Sequence, residues 1–297
     1  MNDKMKLYIL ANPKAGSQTA DNIIVKIRRQ YPQFTLHIYN TRGVDDEYQQ
    51  IQSIMEQFDT YQDKLLILGG DGTLSKALKY LPETVSFAYY PTGSGNDFAR
   101  SMGIERLEQV IEALLTDRIL PITVLKSNLG IVVNSLDMGY SAQVIAYSVN
   151  SKLKKWLNSI KLGKLTYLFF GIRSLLSRAK LTVTVSMDGQ KQILEDVFFL
   201  SFANNTYFGG GIMIWPDASA HQKQIDLVWF KRGNLIQRIQ ALLDLLFKRH
   251  YQSSVLHHSH AQVVTVAANQ ELTLQVDGEL CQSKEVTLSC QQRQIYL

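Results

Sequence analysis

The run Leu65-Leu66-Ile67-Leu68-Gly69-Gly70-Asp71-Gly72-Thr73-Leu74 constrains this chain more than any other stretch. Four apolar residues pass directly into three glycines, an aspartate and a threonine, and four is short enough for a buried strand. Beyond Gly72 the apolar residues fall at Leu74, Ala77, Leu78 and Leu81, the i, i+3, i+4, i+7 spacing of a helix. A strand, a glycine turn and a helix in that order aim backbone N–H groups at a phosphate. The glycines permit positive φ and close approach of an anion. Asp71 does not belong in a bare phosphate cradle. A carboxylate is tolerated beside a phosphate where a divalent cation separates them, or where it accepts a proton or a ribose hydroxyl. Gly-Asp-Gly also occurs in ordinary strand-to-helix turns. Three glycines and an acid at the end of a buried strand favour the nucleotide or phosphate site.

The first 120 residues repeat this arrangement. Residues 7–10 read as a buried strand ending in a turn at Asn12-Pro13-Lys14-Ala15-Gly16-Ser17, with a helix over 21–30. A strand at 34–39 and an amphipathic helix at 45–58 follow. A fourth strand at 86–90 ends in Pro91-Thr92-Gly93-Ser94-Gly95-Asn96-Asp97, and 98–101 and 107–115 read as helical. Alternating strands and helices imply a doubly wound parallel sheet, whose ligands bind outside the carboxyl ends of its strands. The three glycine turns should therefore meet on one rim. After about residue 120 the texture becomes mainly β, a sandwich or barrel-like unit. Strands are predicted at 119–126, 131–136, 181–187, 193–203, 225–230, 263–267, 272–276 and 286–288. Asp188-Gly189 reads as a hairpin turn, and helical insertions are expected near 151–176 and 235–247.

At 297 residues the chain is long enough for two domains, and 45% hydrophobic against 19% charged residues describes a globular protein. A net charge of +5 and a pI of about 9.0 imply anionic company: a phosphorylated ligand, an anionic membrane or nucleic acid. Cys281 and Cys290 are too few for a disulfide framework or a zinc site and read as free thiols in a reducing cytosol. The first residues lack a signal-peptide h-region, and no apolar run approaches the ~20 residues of a membrane span. The expected location is cytoplasmic, with peripheral membrane association.

There is no Gly-x-x-x-x-Gly-Lys-Ser/Thr loop and no Gly-x-Gly-x-x-Gly fingerprint. Instead, Asn12-Pro13-Lys14-Ala15-Gly16, Gly69-Gly70-Asp71-Gly72-Thr73 and Pro91-Thr92-Gly93-Ser94-Gly95-Asn96-Asp97-Phe98-Ala99-Arg100 together resemble the three motifs of the diacylglycerol kinase catalytic-domain family. This family includes soluble bacterial lipid kinases and the sphingosine kinases. Downstream, Val276-Asp277-Gly278-Glu279 resembles its Asp-Gly-Glu motif, Asn204-Asn205 with Gly209-Gly210-Gly211 its triple-glycine segment, and Pro216-Asp217-Ala218 its Pro-x-Ala. The match runs nearly the length of the chain in the family's order. It implies an N-terminal α/β nucleotide-binding domain like that of phosphofructokinase and NAD kinase, here 1–120. A C-terminal β-sandwich-like lipid-substrate domain would span 121–285, with the extreme C-terminal strand, about 286–297, returning to the first domain. The active site would occupy the cleft between them. The resemblance assigns ATP contacts to Asn12, Pro13, Lys14, Ala15, Gly16, Thr41, Gly69, Gly70, Asp71, Gly72, Thr73, Ser75, Gly93, Ser94 and Asn96, and metal and base roles to Asp71, Asp277 and Glu279. Two positions depart from it. Gln222-Lys223 stands where the family has an Asp-Gly pair that serves a structural magnesium, which argues against that metal here, although Asp226 lies nearby. Ser94 stands where threonine is usual.

The chemistry of the residues agrees with the resemblance. Phosphoryl transfer needs positioning and charge neutralisation. Amides around Gly70–Thr73 would hold phosphate oxygens, and Asp71 would bind Mg²⁺ directly or through water. Asp277 or Glu279 would take the acceptor hydroxyl's proton, although Asp277-Gly278 by itself also reads as a hairpin turn.

From Met138 to Met187 the chain has no acidic residue. Its eight basic ones (Lys152, Lys154, Lys155, Lys161, Lys164, Arg173, Arg178 and Lys180) interleave with Leu153, Trp156, Leu157, Ile160, Leu165, Tyr167, Phe169 and Phe170. A basic amphipathic segment at 152–180 suits an anionic membrane surface, or equally a helix covering the β-domain. His257, His258 and His260 read as solvated histidines on a link before a strand. The sequence thus reads as an ATP- and Mg²⁺-dependent lipid kinase, with diacylglycerol the favoured acceptor. The alternatives are a sphingoid base, another lipid or NAD as acceptor, or a catalytically weak nucleotide-binding regulator at the membrane. No nucleic-acid motif is present, and an exposed edge of the β-domain could pair two copies into a homodimer.

Overall fold

The computed structural model describes residues 5–16, 20–43, 45–149, 174–176 and 181–297. Four parallel strands, β1 (Met5–Ala11), β2 (Phe34–Asn40), β3 (Lys64–Gly69) and β4 (Ala88–Pro91), form a sheet in the order β2-β1-β3-β4. The helices α1 (Ala20–Gln30), α2 (Glu47–Met55), α3 (Asp71–Tyr80), α4 (Asp97–Ser101) and α5 (Leu107–Leu115) connect or flank them. All six residues of β3 are buried, as expected for the inner strand of a sheet covered on both faces. Leu7, Ile9, Ile67, Phe87 and Phe98 share one core with the inward faces of the helices.

The second half is antiparallel. Its strands are β5 (Ile119–Ser127), β6 (Gly130–Val132), β7 (Ser135–Gly139), β8 (Leu181–Met187), β9 (Gln190–Ala203), β12 (Ile225–Lys231), β13 (His257–Ala261), β14 (Val263–Val276) and β15 (Glu279–Tyr296). They run in the order β13-β12-β9-β7-β14-β15-β5-β6. The 14-residue strands β9 and β14 each pass from a partner at β8 to a partner at β7. The sheet folds over itself in this way and encloses a second core that includes Leu136, Met138, Val185, Leu200 and Leu274. A small hairpin of β10 (Tyr207–Phe208) and β11 (Ile212–Met213) stands apart, and α6 (Tyr140–Val149), α7 (Leu235–Leu246) and a 3-10 turn at His250–Gln252 complete the described elements. The architecture is an α/β unit followed by a β-sandwich-like unit.

The strand β15 joins the two halves. Residues Leu288 to Tyr296 pair with β5, Phe87 bridges Ile295, and Ile295 and Tyr296 lie in the first core. Lys64 Nζ reaches Tyr296 Oη at 3.3 Å and pairs with Asp117, tying the chain's last turn of strand to the start of β3.

Three sequence expectations require correction. The single strand expected over 131–136 is two, β6 and β7, broken at Val133-Asn134 because those amides turn to face the Asp277 carboxylate. The separate strands expected at 263–267 and 272–276 are one, β14, with a register shift between Ala267 and Leu272, and the short strand expected at 286–288 is part of the 18-residue β15. The histidines at 257, 258 and 260 lie on the edge strand β13. His258 is not a solvated linker residue: its Nε2 is 2.8 Å from the buried Asp226, and its ring stacks on Trp215. Asp226 is thereby engaged by an imidazole and by Gln224. The helix expected near 151–176 and the basic segment 152–180 lie outside the described residues, apart from 174–176.

Candidate active site

The three glycine turns meet at the carboxyl ends of β1, β3 and β4, as the sheet rule requires. Their contact is closer than any side chain would allow. A Cβ on Gly16, whose φ is +64°, would stand 2.2 Å from the Thr92 carbonyl oxygen, and one on Gly93 would stand 2.7 Å from Gly70 Cα. The first turn thus presses on the third, and the third on the second. Asn12 Nδ2 donates to Thr73 Oγ1 at 3.0 Å, and the Thr92 amide donates to the Gly69 carbonyl at 2.8 Å. Gly70 is the extended N-cap of α3, so the amides of Asp71, Gly72 and Thr73 lead the helix without intrahelical acceptors. That end of α3 offers donors and a positive dipole to an anion. Two oxygens of the third turn, Thr92 Oγ1 and Asn96 Oδ1, are buried without a protein partner, and Ser94 stands exposed beside them.

Asp71 turns its carboxylate onto the start of α4. The Asp97 amide donates to Oδ2 at 2.8 Å and the Phe98 amide to Oδ1 at 3.3 Å. Burial pushes the Asp71 carboxyl up to about 6, against the opposing pull of those amides and of the Asn134 side chain. Asn96 enters α4 in the left-handed region, φ 53°, with Nδ2 donating to the Gly93 carbonyl at 2.7 Å.

The second half supplies the opposite wall. Asp277 and Gly278 both have positive φ and form the two-residue turn between β14 and β15. Asp-Gly suits such a turn, and the Asp277 carboxylate points back to the β6–β7 break. Oδ2 accepts the Val133 amide at 2.8 Å, and Oδ1 accepts those of Asn134 and Ser135 at 2.8 and 3.2 Å. Burial pushes the Asp277 carboxyl up to about 7 in spite of these donors, and the charge of Asp71 adds to the rise. The two carboxylates, one from each half of the chain, are close enough for the charge of one to act on the other, and Asn134 contacts both, its side chain at Asp71 and its amide at Asp277. Glu279 is exposed and lies beside the first turn of α3, its Oε1 3.3 Å from where a Cβ on Gly72 would be. Lys76 of α3 holds it at 2.9 Å and reaches Asp45 at 3.2 Å.

The structure thus brings Asn12, Gly16, Gly69, Gly70, Asp71, Gly72, Thr73, Gly93, Asn96, Asp277 and Glu279 together. Lys14 is exposed at the rim next to Pro13 and Ala15, and Thr41 is buried at the end of β2 with its amide on the Ala11 carbonyl. Ser75 faces the second half, where its Oγ donates to the Ile131 carbonyl at 2.5 Å.

Sequence reasoning passed over four residues. Asn134 lies inside a predicted strand and carries no motif. Lys76 reads as an ordinary helix lysine. Asp97 belongs to the third motif, whose composition assigns it no role. It is buried, accepts the Gly210 amide at 2.7 Å and pairs with Arg100 at 2.6 Å, so it fastens α4 to the triple-glycine hairpin. Asp137 is fully buried on β7, accepting from Ser135 Oγ at 2.9 Å, Gln275 Nε2 at 3.1 Å and Ser201 Oγ; burial pushes it up to about 7. The alternation of β7 places Asp137 on the face opposite Leu136 and Met138, so no sequence signal marked its burial.

Among the described residues no cluster of three or more His, Cys, Asp or Glu side chains forms a ready-made metal cage. The donor set still fits magnesium, which keeps several waters and binds through one or two carboxylates plus substrate phosphates. Asp71 retains acceptor capacity beyond its two amides, and Asn134 Oδ1 is a buried oxygen without a protein partner.

Comparison with known proteins follows the same division. Residues 6–127 match the family model described as the diacylglycerol kinase catalytic domain, and residues 135–297 match the YegS C-terminal NAD kinase beta sandwich-like domain. A diacylglycerol kinase of Bacillus subtilis is 26% identical over 281 residues, covering 91% of this chain and 88% of its own. A crystal structure of a diacylglycerol kinase from Bacillus anthracis superposes with a TM-score of 0.69 at 19% identity, covering 100% of this chain and 97% of that one. An NAD kinase from Archaeoglobus fulgidus solved with ATP superposes at 0.51 with 11% identity, over 99% and 94% of the two chains.

Proposed function

The chain belongs to the diacylglycerol kinase catalytic-domain family of lipid kinases, and on that premise we propose that it transfers the γ-phosphate of ATP to the free hydroxyl of diacylglycerol, giving phosphatidic acid and ADP. The observation that carries this reading is the meeting of Asp71 and Asp277 across the two halves, each with its carboxyl raised by burial toward neutral pH.

The amides of Asp71, Gly72 and Thr73, with the third turn, hold the triphosphate at the N-terminus of α3. Magnesium held by Asp71 through water would neutralise phosphate charge. The acceptor hydroxyl oxygen forms a bond to the γ-phosphorus as the bond to the β,γ-bridging oxygen breaks and ADP leaves. The hydroxyl proton passes to Asp277. Of its two oxygens, Oδ2 accepts a single amide and keeps a lone pair for that proton, whereas Oδ1 accepts two. A base poised near the working pH is the efficient one. Glu279, ion-paired with Lys76, positions the first turn of α3 from across the cleft.

The test is transfer of labelled phosphate from ATP with Mg²⁺ to diacylglycerol, a sphingoid base, another acylglycerol and NAD, presented in mixed micelles beside a no-acceptor control. Labelled phosphatidic acid is the expected product. Transfer to NAD or to another lipid would replace the acceptor. ATP binding without transfer to any of them would favour a regulator.

A further inference from the structure

The helix α7 is apolar on two faces. Ala241 and Leu245 are buried in a core with Phe199, Trp215 and Phe230. Ile236, Ile239, Leu243 and Leu246 face outward at i, i+3, i+7 and i+10, with Phe247 directly beyond; Ile236 is 75% exposed and Phe247 65%. This spacing makes one continuous stripe along the helix. The stripe is held in place. Asn234 Oδ1 accepts the Gln237 amide at 2.9 Å while Gln237 Oε1 accepts the Asn234 amide at 2.9 Å, a reciprocal capping box. Large contiguous apolar patches on a rigid surface mark an interaction site.

Charge selects the partner. From Lys231 to Gln270 the sequence holds one acidic residue, Asp244, and it is buried. Lys248 and Arg249 are exposed and follow Phe247 directly, at one end of the stripe. An apolar stripe that ends in cations matches a surface that is apolar within and anionic at its boundary. A symmetric contact between two copies would set these cations against each other.

Position links the stripe to the site. The helix packs on the β10–β11 hairpin, where Gly210 donates to Asp97, and the Asp97 amide donates to Asp71. One hairpin and α4 therefore separate the outward stripe from the nucleotide turns.

We propose that the outward face of α7, with Lys248 and Arg249, docks on an anionic lipid bilayer and sets the cleft against the surface that holds the acceptor. The purpose of the docking rests on the lipid-kinase reading; the binding itself does not. The test is flotation of the full chain with vesicles of equimolar phosphatidylglycerol and phosphatidylcholine, beside phosphatidylcholine alone. The triple variant Ile236→Gln, Leu243→Gln, Phe247→Gln should weaken binding about ten-fold or more, with an unchanged melting temperature. Lys248→Gln with Arg249→Gln should weaken binding to the anionic vesicles and flatten its salt dependence. In the triple variant the apparent KM for diacylglycerol in vesicles should rise, while transfer to a dispersed short-chain diacylglycerol stays at the wild-type rate. Flotation of both variants like the wild type overturns the proposal. So does a wild-type dimer that the triple variant splits, by light scattering, without losing flotation. Flotation needs no turnover, so loss of binding in the variants of a protein that phosphorylates no lipid would refute the proposed function and uphold the docking surface.

Discussion

Asp71, Asp137 and Asp277 are three carboxyls that burial holds at about 6, 7 and 7, against an ordinary value of 3.8. Each binds its proton more tightly in the folded chain than in the unfolded one. Their contribution to stability is therefore greatest below pH ~4 and falls as pH rises toward about 7, opposite to a salt-bridged aspartate. Asp137→Asn should remove part of that fall, seen as a flatter melting temperature between pH 4 and 7, without abolishing transfer. Asp71→Asn should cut transfer about a hundred- to ten-thousand-fold with the fold intact; wild-type turnover would take Asp71 out of the mechanism. Asp71 stood out because it sits in a glycine turn of unusual composition at the end of a buried strand, whereas Asp277 read as an ordinary hairpin turn until the family resemblance marked it. Asn134 was not legible, because an asparagine inside an apolar stretch is indistinguishable from a solvent-facing strand residue until the Asp277 turn is brought against it.

At the scale of elements, close backbone contact carries the site. Gly93→Ala would place a methyl 2.7 Å from Gly70 Cα and 2.9 Å from Asn96 Oδ1. It should separate the second and third turns, cost about 1–3 kcal/mol of stability and weaken ATP binding, both measurable by thermal melts with and without nucleotide. Gly95→Ala, with its nearest neighbour 4.0 Å away at Asp71 Oδ2, is the milder control. The parallel strands and their helices were readable from periodicity, because an inner strand is a plain apolar run and each helix keeps one apolar face. The antiparallel half was read in pieces. Apolar alternation does not report where a strand bends from one layer to the other, so β14 and β15 appeared as fragments. It also does not report a break made by a distant carboxylate, so β6 and β7 appeared as one.

At the scale of the molecule, β15 turns two cores into one catalytic unit. It begins at Glu279 beside α3, and its end pairs with Phe87 at the edge of the first sheet. The Asp277 turn at its head is held by the amides of Val133, Asn134 and Ser135, while Glu279 beside it reaches Lys76 of α3. This long-range closure has no local sequence signal; the resemblance supplied it. Among the described residues no helix is long and apolar enough to cross a membrane. The most direct measurement is the pH–rate profile of phosphate transfer from ATP to diacylglycerol by the wild type and by Asp277→Asn. The expected wild-type kcat/KM rises with pH through about 7 as the carboxyl of Asp277 ionises, and the variant is slower by about two to four orders of magnitude and lacks that limb. An Asp277→Asn protein with the wild-type rate and profile would contradict that expectation, and would leave Asp277 as the residue that closes a turn.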